Sequence, residues 1–396
     1  MLRDLSALEA ALADLDSKQL RRRRLTVDAF VDADSAVRVR VEGRTLLNFS
    51  SNDYLGLSRH PMLCEAMSAC ALSQGSGSAA AHLISGHARE HAALETEIAA
   101  FVGRERALLL STGYMANLAA ITVLASRGER LFLDRLNHAS LIDAALLSGA
   151  RFRRYPHGDF EALSRMLAGS ATAAAVASDG VFSMDGDLAP LAQLASTCRQ
   201  NRAGLIVDDA HGLGVLGAGG RGTLEHFHLN EDDVPLLVGT FGKAFGSFGA
   251  FVAGPGTLIE YLMQKARPYI YTTALPQPVA AATRAAIALA LREPWRRERV
   301  SALTQRFRAG CEREGIALSA SATPIQPILT GSSARAVSLQ QALMGAGFLV
   351  SAIRPPTVPA NTSRLRITFS ASHSEQDVDA LVAALAETLY RDTLSA

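Results

Sequence analysis

The chain has 396 residues, of which 48% are hydrophobic and 19% charged, which excludes disorder and gives enough length for more than one core. Its 39 basic and 38 acidic side chains leave a net charge of +1, so there is no basic excess to draw nucleic acid or an anionic membrane surface. Lys18, Lys243 and Lys265 are the three lysines among the basic residues, against 36 arginines, and the setting of each is therefore informative. Cys64, Cys70, Cys198 and Cys311 show no CxxC spacing and are too sparse for a disulfide scaffold; they read as small buried hydrophobes in a reducing compartment. The first residues lack a basic region followed by an apolar run, and no stretch approaches the roughly 18 apolar residues of a membrane span, so a cytoplasmic protein is expected.

Leu5, Leu8, Leu12 and Leu15 recur at helical spacing and predict an amphipathic helix whose stripe must lean on something else. The basic run Arg21 to Arg24, a strand-like stretch to Phe49 and a turn at Ser51-Asn52-Asp53 follow. Short apolar runs then alternate with Ala-rich helical stretches. The runs are Ala107–Leu110, Leu131–Asp134, Phe152–Tyr155, Ala173–Ser178, Gly204–Asp208, Leu236–Thr240 and Ala250–Ala253. Runs apolar on both faces, separated by helices, predict a doubly wound, mostly parallel sheet. Ligands in such sheets bind beyond the carboxyl ends of the strands. A long Ala-rich helix is expected over 276–293, then two helical stretches and the strand-like runs Ile325–Leu329, Phe348–Ile353 and Arg364–Phe369. In the last helix Ser374 and Asp377 form a capping pair, and Val378, Leu381, Val382, Leu385 and Leu389 make its stripe. The expected divisions are an N-terminal helix and strand segment over 1–50, a large domain over 51–285 and a smaller α+β domain over 286–396.

One of the few lysines, Lys243, stands in the run from Gly239 to Gly246 directly after an apolar strand. Taken alone, it is a solvated loop lysine; a partly desolvated amine in that place is a Schiff-base nucleophile. The strand ending in Asp208 places a carboxylate where burial is unfavourable unless it meets a cation, and the protonated ring nitrogen of pyridoxal phosphate is such a cation. A third stretch, Ser111-Thr112-Gly113-Tyr114, opens a helix after a strand and would turn free backbone N–H groups toward an anion.

Eight stretches in chain order carry a resemblance: NFSSNDYLGLS (48–58), STGYMANLAAI (111–121), DRLNHASLIDA (134–144), SDGVFSMDGDLAPL (178–191), VDDAHGLGVLG (207–217), GTFGKAFGSFGA (239–250), YIYTTALP (269–276) and SAIRPPTVPANTSRLRIT (351–368). Together they resemble the α-oxoamine synthases, most closely their biotin-pathway branch. The resemblance implies a fold-type I pyridoxal-phosphate transferase with an aspartate aminotransferase-like fold, acting as a homodimer whose active site lies at the subunit boundary. It implies condensation of L-alanine with a pimeloyl thioester, carried by coenzyme A or an acyl-carrier protein, with loss of carbon dioxide. Lys243 would bond the cofactor and remove the α-proton, Asp208 would pair with the pyridinium nitrogen, and His211 and Ser183 would sit near the phenolate oxygen. His138 would stack on the ring and serve as proton donor to the thioester oxygen. Gly113, Tyr114 and Thr240 would hold the phosphate or flank the ring, and Thr272 or Thr273 would reach it from the other subunit. Arg354 would hold the substrate carboxylate. Asn52 and an N-terminal arginine, Arg22 or in the alternative register Arg21, complete the substrate-binding set.

Other patterns carry blander readings. His87 and His91 share helical spacing, but a packed or solvated pair is favoured over a metal pair, since no HExxH pattern is present. His226-Phe227-His228 reads as a surface loop rather than a strand. The glycines at 212, 214 and 217 fit a dinucleotide fingerprint only superficially and leave a nicotinamide-dependent oxidoreductase as the alternative from another class. Within the family the rivals are glycine C-acetyltransferase, 5-aminolevulinate synthase and serine palmitoyltransferase. The turn Gly75 to His82 carries alanines where the family often has further glycines and serine, and alanine restricts φ; an altered acyl-length preference would follow if that loop touches the substrate.

Overall fold

The seven apolar runs all become strands of a single sheet in the computed structural model, which describes residues 4–168 and 174–395. Across the sheet the order is Arg106–Leu110, Ala250–Gly254, Leu236–Thr240, Gly204–Asp208, Ala174–Asp179, Arg130–Asp134 and Arg151–Tyr155. The expected start of the fifth of these at Ala173 lies outside the described residues. Strand pairs from 151–155 to 236–240 are parallel, and helices such as Ala139–Ser148 and Leu191–Gln200 supply the crossovers.

Ala250–Gly254 departs from the parallel expectation and runs antiparallel to both neighbours. Its apolar run looks like the others because burial on both faces dictates composition, whereas direction is set by the connection. Residues 241–249 join it to Leu236–Thr240 as a hairpin loop, too short for a crossover.

Contact density divides the chain into two units. One comprises Asp53–Ser183 and Asp187–Glu298 and holds the sheet; the other comprises the chain up to Asn52, Met184–Gly186 and the chain from Arg299 onward. In the sheet unit, Leu131, Leu133, Ile206, Val238 and Val252 pack with Ala116, Ala120, Ile121 and Ala144 of the flanking helices. Alanine on the inner helix faces lets backbone and sheet approach closely, which accounts for the alanine richness of this part of the chain.

In the other unit, Ile325–Gly331, Ser363–Thr368 and Ser351–Ile353 form an antiparallel sheet. The run expected over Phe348–Ile353 is split: Phe348–Leu349 pairs parallel with Arg44–Asn48 in a separate sheet that also holds Arg38–Val41 and Ala29–Phe30. Val350 is fully buried at the switch, where its carbonyl accepts from Gln340 Nε2. The final helix, Glu375–Ser395, begins with the expected reciprocal cap. Ser374 N donates to Asp377 Oδ2 at 2.8 Å, and Asp377 N to Ser374 Oγ at 3.0 Å. The first helix, Leu5–Ser17, forms as its spacing predicts, but Leu5, Leu8, Leu12 and Leu15 all remain exposed among the described residues.

A charge cluster ties the sheet to its loops. His157 lies 2.9 Å from Asp134 and 2.8 Å from Asp187. Burial pulls its pKa down, but the two carboxylates outweigh that and push it up to about 10 from an ordinary 6.5. The stabilisation is therefore complete below about pH 6.5 and lost as pH rises through about 10. Chemical unfolding of wild type and His157→Asn should show a stability difference that is largest near neutral pH and shrinks toward alkaline pH; a pH-independent difference would contradict the assignment.

Candidate active site

Asp134, Asp179 and Asp208 close three neighbouring parallel strands, and all three are buried. Asp208 Oδ2 accepts from Asn117 Nδ2 at 2.6 Å and Oδ1 from Ala210 N at 3.0 Å. Asp179 accepts the backbone N–H of His138 at 2.8 Å; burial and the facing Asp208 carboxylate raise its pKa far above the carboxylate range. This aspartate follows the rule that polar residues at strand ends deserve inspection, yet it was not singled out from the sequence.

Lys243 sits half-buried in the hairpin loop. Phe241, Ala244 and Phe245 around it are buried, and the loop is closed by Phe241 N to Gly249 O at 2.9 Å, Ser247 N to Phe241 O at 2.9 Å and Gly246 N to Lys243 O at 2.8 Å. Gly246 adopts φ +61, and a Cβ there would collide with the backbone of Leu57 and Ser58. The lysine is thus mounted on a loop that only glycine at position 246 allows. His138 caps the helix Ala139–Ser148, and four influences set its pKa. Partial desolvation of its ring, the largest, and Lys243 lower it, while Asp208 and Asp143 oppose them, with a net shift downward. Lys243, Asp208 and His138 therefore share one electrostatic neighbourhood.

Thr112 caps the helix Gly113–Leu124 by accepting from Met115 N at 3.2 Å. A Cβ on Gly113 would stand 3.9 Å from Thr240 Cβ, so these two residues adjoin. The Thr240 hydroxyl is engaged inside its own loop, donating to Gly249 O at 3.0 Å and accepting from Gly242 N at 3.2 Å. Tyr114 donates a short hydrogen bond to Asp143, which raises the phenol pKa. His211 is buried, with Nδ1 2.7 Å from the hydroxyl of Tyr54, a residue inside the first motif that was not assigned a role; Ser183 is half-buried. Thr272 and Thr273 lie on a segment paired with the Ala-rich turn: Thr273 bridges Ala81, Ala274 N donates to Ala80 O at 2.9 Å, and Ser78 Oγ donates to Leu275 O at 2.7 Å. Ala79 in that turn adopts φ +55, a left-handed conformation that glycine would take without strain.

The remaining three candidates belong to the other unit. Arg22 donates to Thr357 Oγ1 at 3.2 Å, while Arg21 pairs with Asp16 at 2.6 Å. Arg354 donates to Gln19 O, and its pKa is lowered by burial first and then by the Arg22 charge. Asn52 Oδ1 accepts from Arg366 at 3.1 Å.

Comparison with known proteins places this geometry in a family. Residues 44–385 match the family model for class I and II aminotransferases. The chain is 55% identical to 8-amino-7-oxononanoate synthase from Methylococcus capsulatus, over 97% of this chain and 98% of that one, and 53% identical to the enzyme of the same name from Cellvibrio japonicus, over 97% of each. The chain belongs to the 8-amino-7-oxononanoate synthase family, within the class I and II aminotransferases. Among solved structures, serine palmitoyltransferase from Sphingomonas wittichii superposes with a TM-score of 0.93 at 30% identity, covering 100% of this chain and 99% of that one. The 8-amino-7-oxononanoate synthase from Francisella tularensis gives 0.77 at 31% identity, covering 88% and 99%. The fold is that of the fold-type I pyridoxal-phosphate enzymes.

The residues present suit that cofactor. An aldehyde, a protonated ring nitrogen and a phosphate call for an amine, a buried carboxylate and a helix N-terminus. Lys243, Asp208 and the first turn of Gly113–Leu124 supply those three groups in one unit. By contrast, the dinucleotide fingerprint fails in this synthase-family chain: residues 211–222 are turns and bends held by a Leu213–Arg221 bridge, and no helix opens at Gly212. Gly212 and Gly222 instead leave room for the buried Asp209 carboxylate. His87 and His91 do approach each other, with His82 as a third member, their nitrogens within 4.8 Å. Both nitrogens of His91 are already used, Nδ1 by Ala88 N and Nε2 by Leu275 O, so the cluster is packed and hydrogen-bonded. His226 ends the short helix Thr223–His226 rather than lying on a strand or loop.

The lysine loop yields a direct test. Gly246→Ala should lower unfolding stability by about 2 kcal/mol or more, because it adds both left-handed strain and a backbone clash. Urea denaturation unchanged by the substitution would show that the loop tolerates another path.

Proposed function

We propose that this chain condenses L-alanine with a pimeloyl thioester, giving 8-amino-7-oxononanoate, carbon dioxide and the free thiol carrier, with pyridoxal phosphate as cofactor. The observation that carries the reading is the common neighbourhood of Lys243, Asp208 and His138 in a chain 55% identical to an 8-amino-7-oxononanoate synthase along nearly its whole length.

When bound, pyridoxal phosphate supplies an electron sink that makes loss of the amino acid's α-proton and of its carboxylate feasible. Lys243 is the amine that would hold the cofactor's aldehyde carbon, and its Nζ, when free, would take the α-proton of L-alanine. Asp208 keeps the ring nitrogen protonated, since a buried carboxylate favours a cation beside it. His211 and Ser183 would sit near the phenolate oxygen. Gly113, Tyr114 and Thr240 would hold the phosphate or flank the ring, with the helix dipole of Gly113–Leu124 favouring the dianion; to donate to the phosphate, the Thr240 hydroxyl would give up its bond to Gly249 O. His138 donates to the thioester oxygen as negative charge develops there.

Arg354 is proposed to grip the substrate carboxylate with Asn52 and Arg22 assisting. Supporting this, Arg22 and Arg354 stand close enough to lower the latter's pKa, and among the described residues neither forms an ion pair with a carboxylate. Two such guanidinium groups favour an anion between them. Thr272 and Thr273 are proposed to reach the phosphate of a second subunit in a homodimer, and the carrier is coenzyme A or an acyl-carrier protein. The setting proposed is the cytoplasm, in keeping with four cysteines that are all free, although Cys64 is exposed and only Cys70, Cys198 and Cys311 are buried as expected; no helix of the described chain is long and apolar enough to cross a membrane.

The purified protein should show a visible absorption band that borohydride abolishes and that Lys243→Ala lacks. Offered glycine, alanine and serine against short, medium and long acyl thioesters, it should release carbon dioxide fastest with alanine and the pimeloyl thioester. Turnover confined to glycine, or to serine with a long acyl chain, would overturn the substrate pair while leaving the cofactor assignment standing.

A further inference from the structure

Asn117 and Ser140 have no part in the chemistry just proposed, yet they join two of its groups. Asn117 Nδ2 lies 2.6 Å from Asp208 Oδ2 and 2.8 Å from Ser140 Oγ, and Ser140 Oγ lies 2.7 Å from His138 Nδ1. Both linking residues are completely buried. An asparagine fully enclosed in a helix otherwise lined by Ala116, Ala119, Ala120 and Ile121 has to be justified by its bonds.

The direction of each bond in this chain follows from its end. A carboxylate oxygen accepts, so the Asn117 atom facing Asp208 is the NH2 group, whose second hydrogen points to Ser140 Oγ. The reversed amide would set its oxygen against the carboxylate. The orientation that results leaves Asn117 Oδ1 buried with no hydrogen-bond partner among the described residues, which shows what the amide gives up to hold it. Ser140 Oγ accepts from Asn117 and keeps its single hydrogen available for His138 Nδ1, 2.7 Å away. The backbone N–H of Ser140 aims at the same nitrogen from 3.3 Å, as the cap of the helix. With two donors converging on Nδ1, that atom carries no proton, and the neutral ring holds its proton on Nε2.

We infer that Asn117 and Ser140 are positioning residues that hold His138 in the Nε2–H tautomer and couple its orientation to Asp208. The inference rests on the reading of His138 as donor to the thioester oxygen. A neutral imidazole can stabilise a developing oxyanion by hydrogen bonding, provided that its N–H is on the nitrogen facing the substrate. The groups acting on this ring are mixed in sign. Asp208 and Asp143 favour the imidazolium, whereas desolvation, the largest effect, and Lys243 favour the neutral ring; Asp179 holds only the backbone N–H. The Ser140 hydroxyl adds selectivity between tautomers that none of these charges provides.

Nitrogen-15 NMR of histidine-labelled protein, with and without pyridoxal phosphate and with His138→Asn for assignment, tests this. From about pH 7 to about pH 9 the wild type should show a bare Nδ1 and a protonated Nε2. Ser140→Ala should mix the tautomers and lower kcat for condensation by about tenfold while leaving the KM for alanine within about twofold, since one donor to Nδ1 is lost and nothing that touches the amino acid changes. Should Ser140→Ala fail to fold, Asn117→Leu provides the second variant. There the serine hydrogen loses its imposed direction, and the nitrogen spectrum should shift the same way. A wild-type ring protonated at Nδ1, or a Ser140→Ala protein with unaltered spectrum and kcat, would overturn the inference. The spectrum needs no thioester, so a wrong substrate assignment would leave this result readable.

Discussion

Three neighbouring strands of the sheet end in buried aspartates, and the rest of the site is arranged around the difficulty of keeping those carboxylates together in a poorly solvating place. Each is relieved differently. Asp134 meets His157 together with the backbone N–H groups of Leu136 and Gly158. Asp179 accepts from the backbone of His138 and is driven toward its protonated form. Asp208 receives one amide hydrogen from Asn117 and one from Ala210, and it is the member of the set best suited to a cationic ring nitrogen. A carboxylate already surrounded by enough charge would gain little from a bound cation; the partial compensation of Asp208 is what fits it to the role proposed above.

Most of the sheet was legible in the sequence because strands buried on both faces must be apolar throughout and helices must intervene between parallel neighbours. The orientation of Ala250–Gly254 was not, since an apolar run has the same composition in either direction. The division of Phe348–Ile353 between two sheets was hidden for a related reason: alternation records which side chains are buried, not which strand accepts the backbone bonds. The first helix shows the converse limit. Its leucine spacing correctly foretells a helix, but no pattern within it says what, if anything, covers the stripe.

For the site, side chains with distinctive chemistry were readable: a rare lysine after a strand, an aspartate at a strand end, a glycine opening a helix. Asn117, Ser140 and Tyr54 lay inside the matching stretches and still went unassigned. Their importance is relational, arising from bonds to Asp208, His138 and His211 that only the folded chain brings within reach. The likeness to serine palmitoyltransferase, a TM-score of 0.93 at 30% identity, makes the same point at the scale of the fold. One scaffold serves several acyl acceptors and donors, and selection among them depends on the side chains near the reacting groups.

The antiparallel placement of Ala250–Gly254 has a mechanical consequence. Because the nine residues 241–249 return directly to the neighbouring strand, both ends of the lysine loop are anchored in the sheet's hydrogen-bond ladder. A swinging gate cannot be built from such a segment without first unzipping two interior strands of the sheet. The stiffness of the β-sheet becomes positional accuracy at an amine, and whatever flexing admits a bulky molecule and lets the product leave falls to segments less firmly stitched into the ladder.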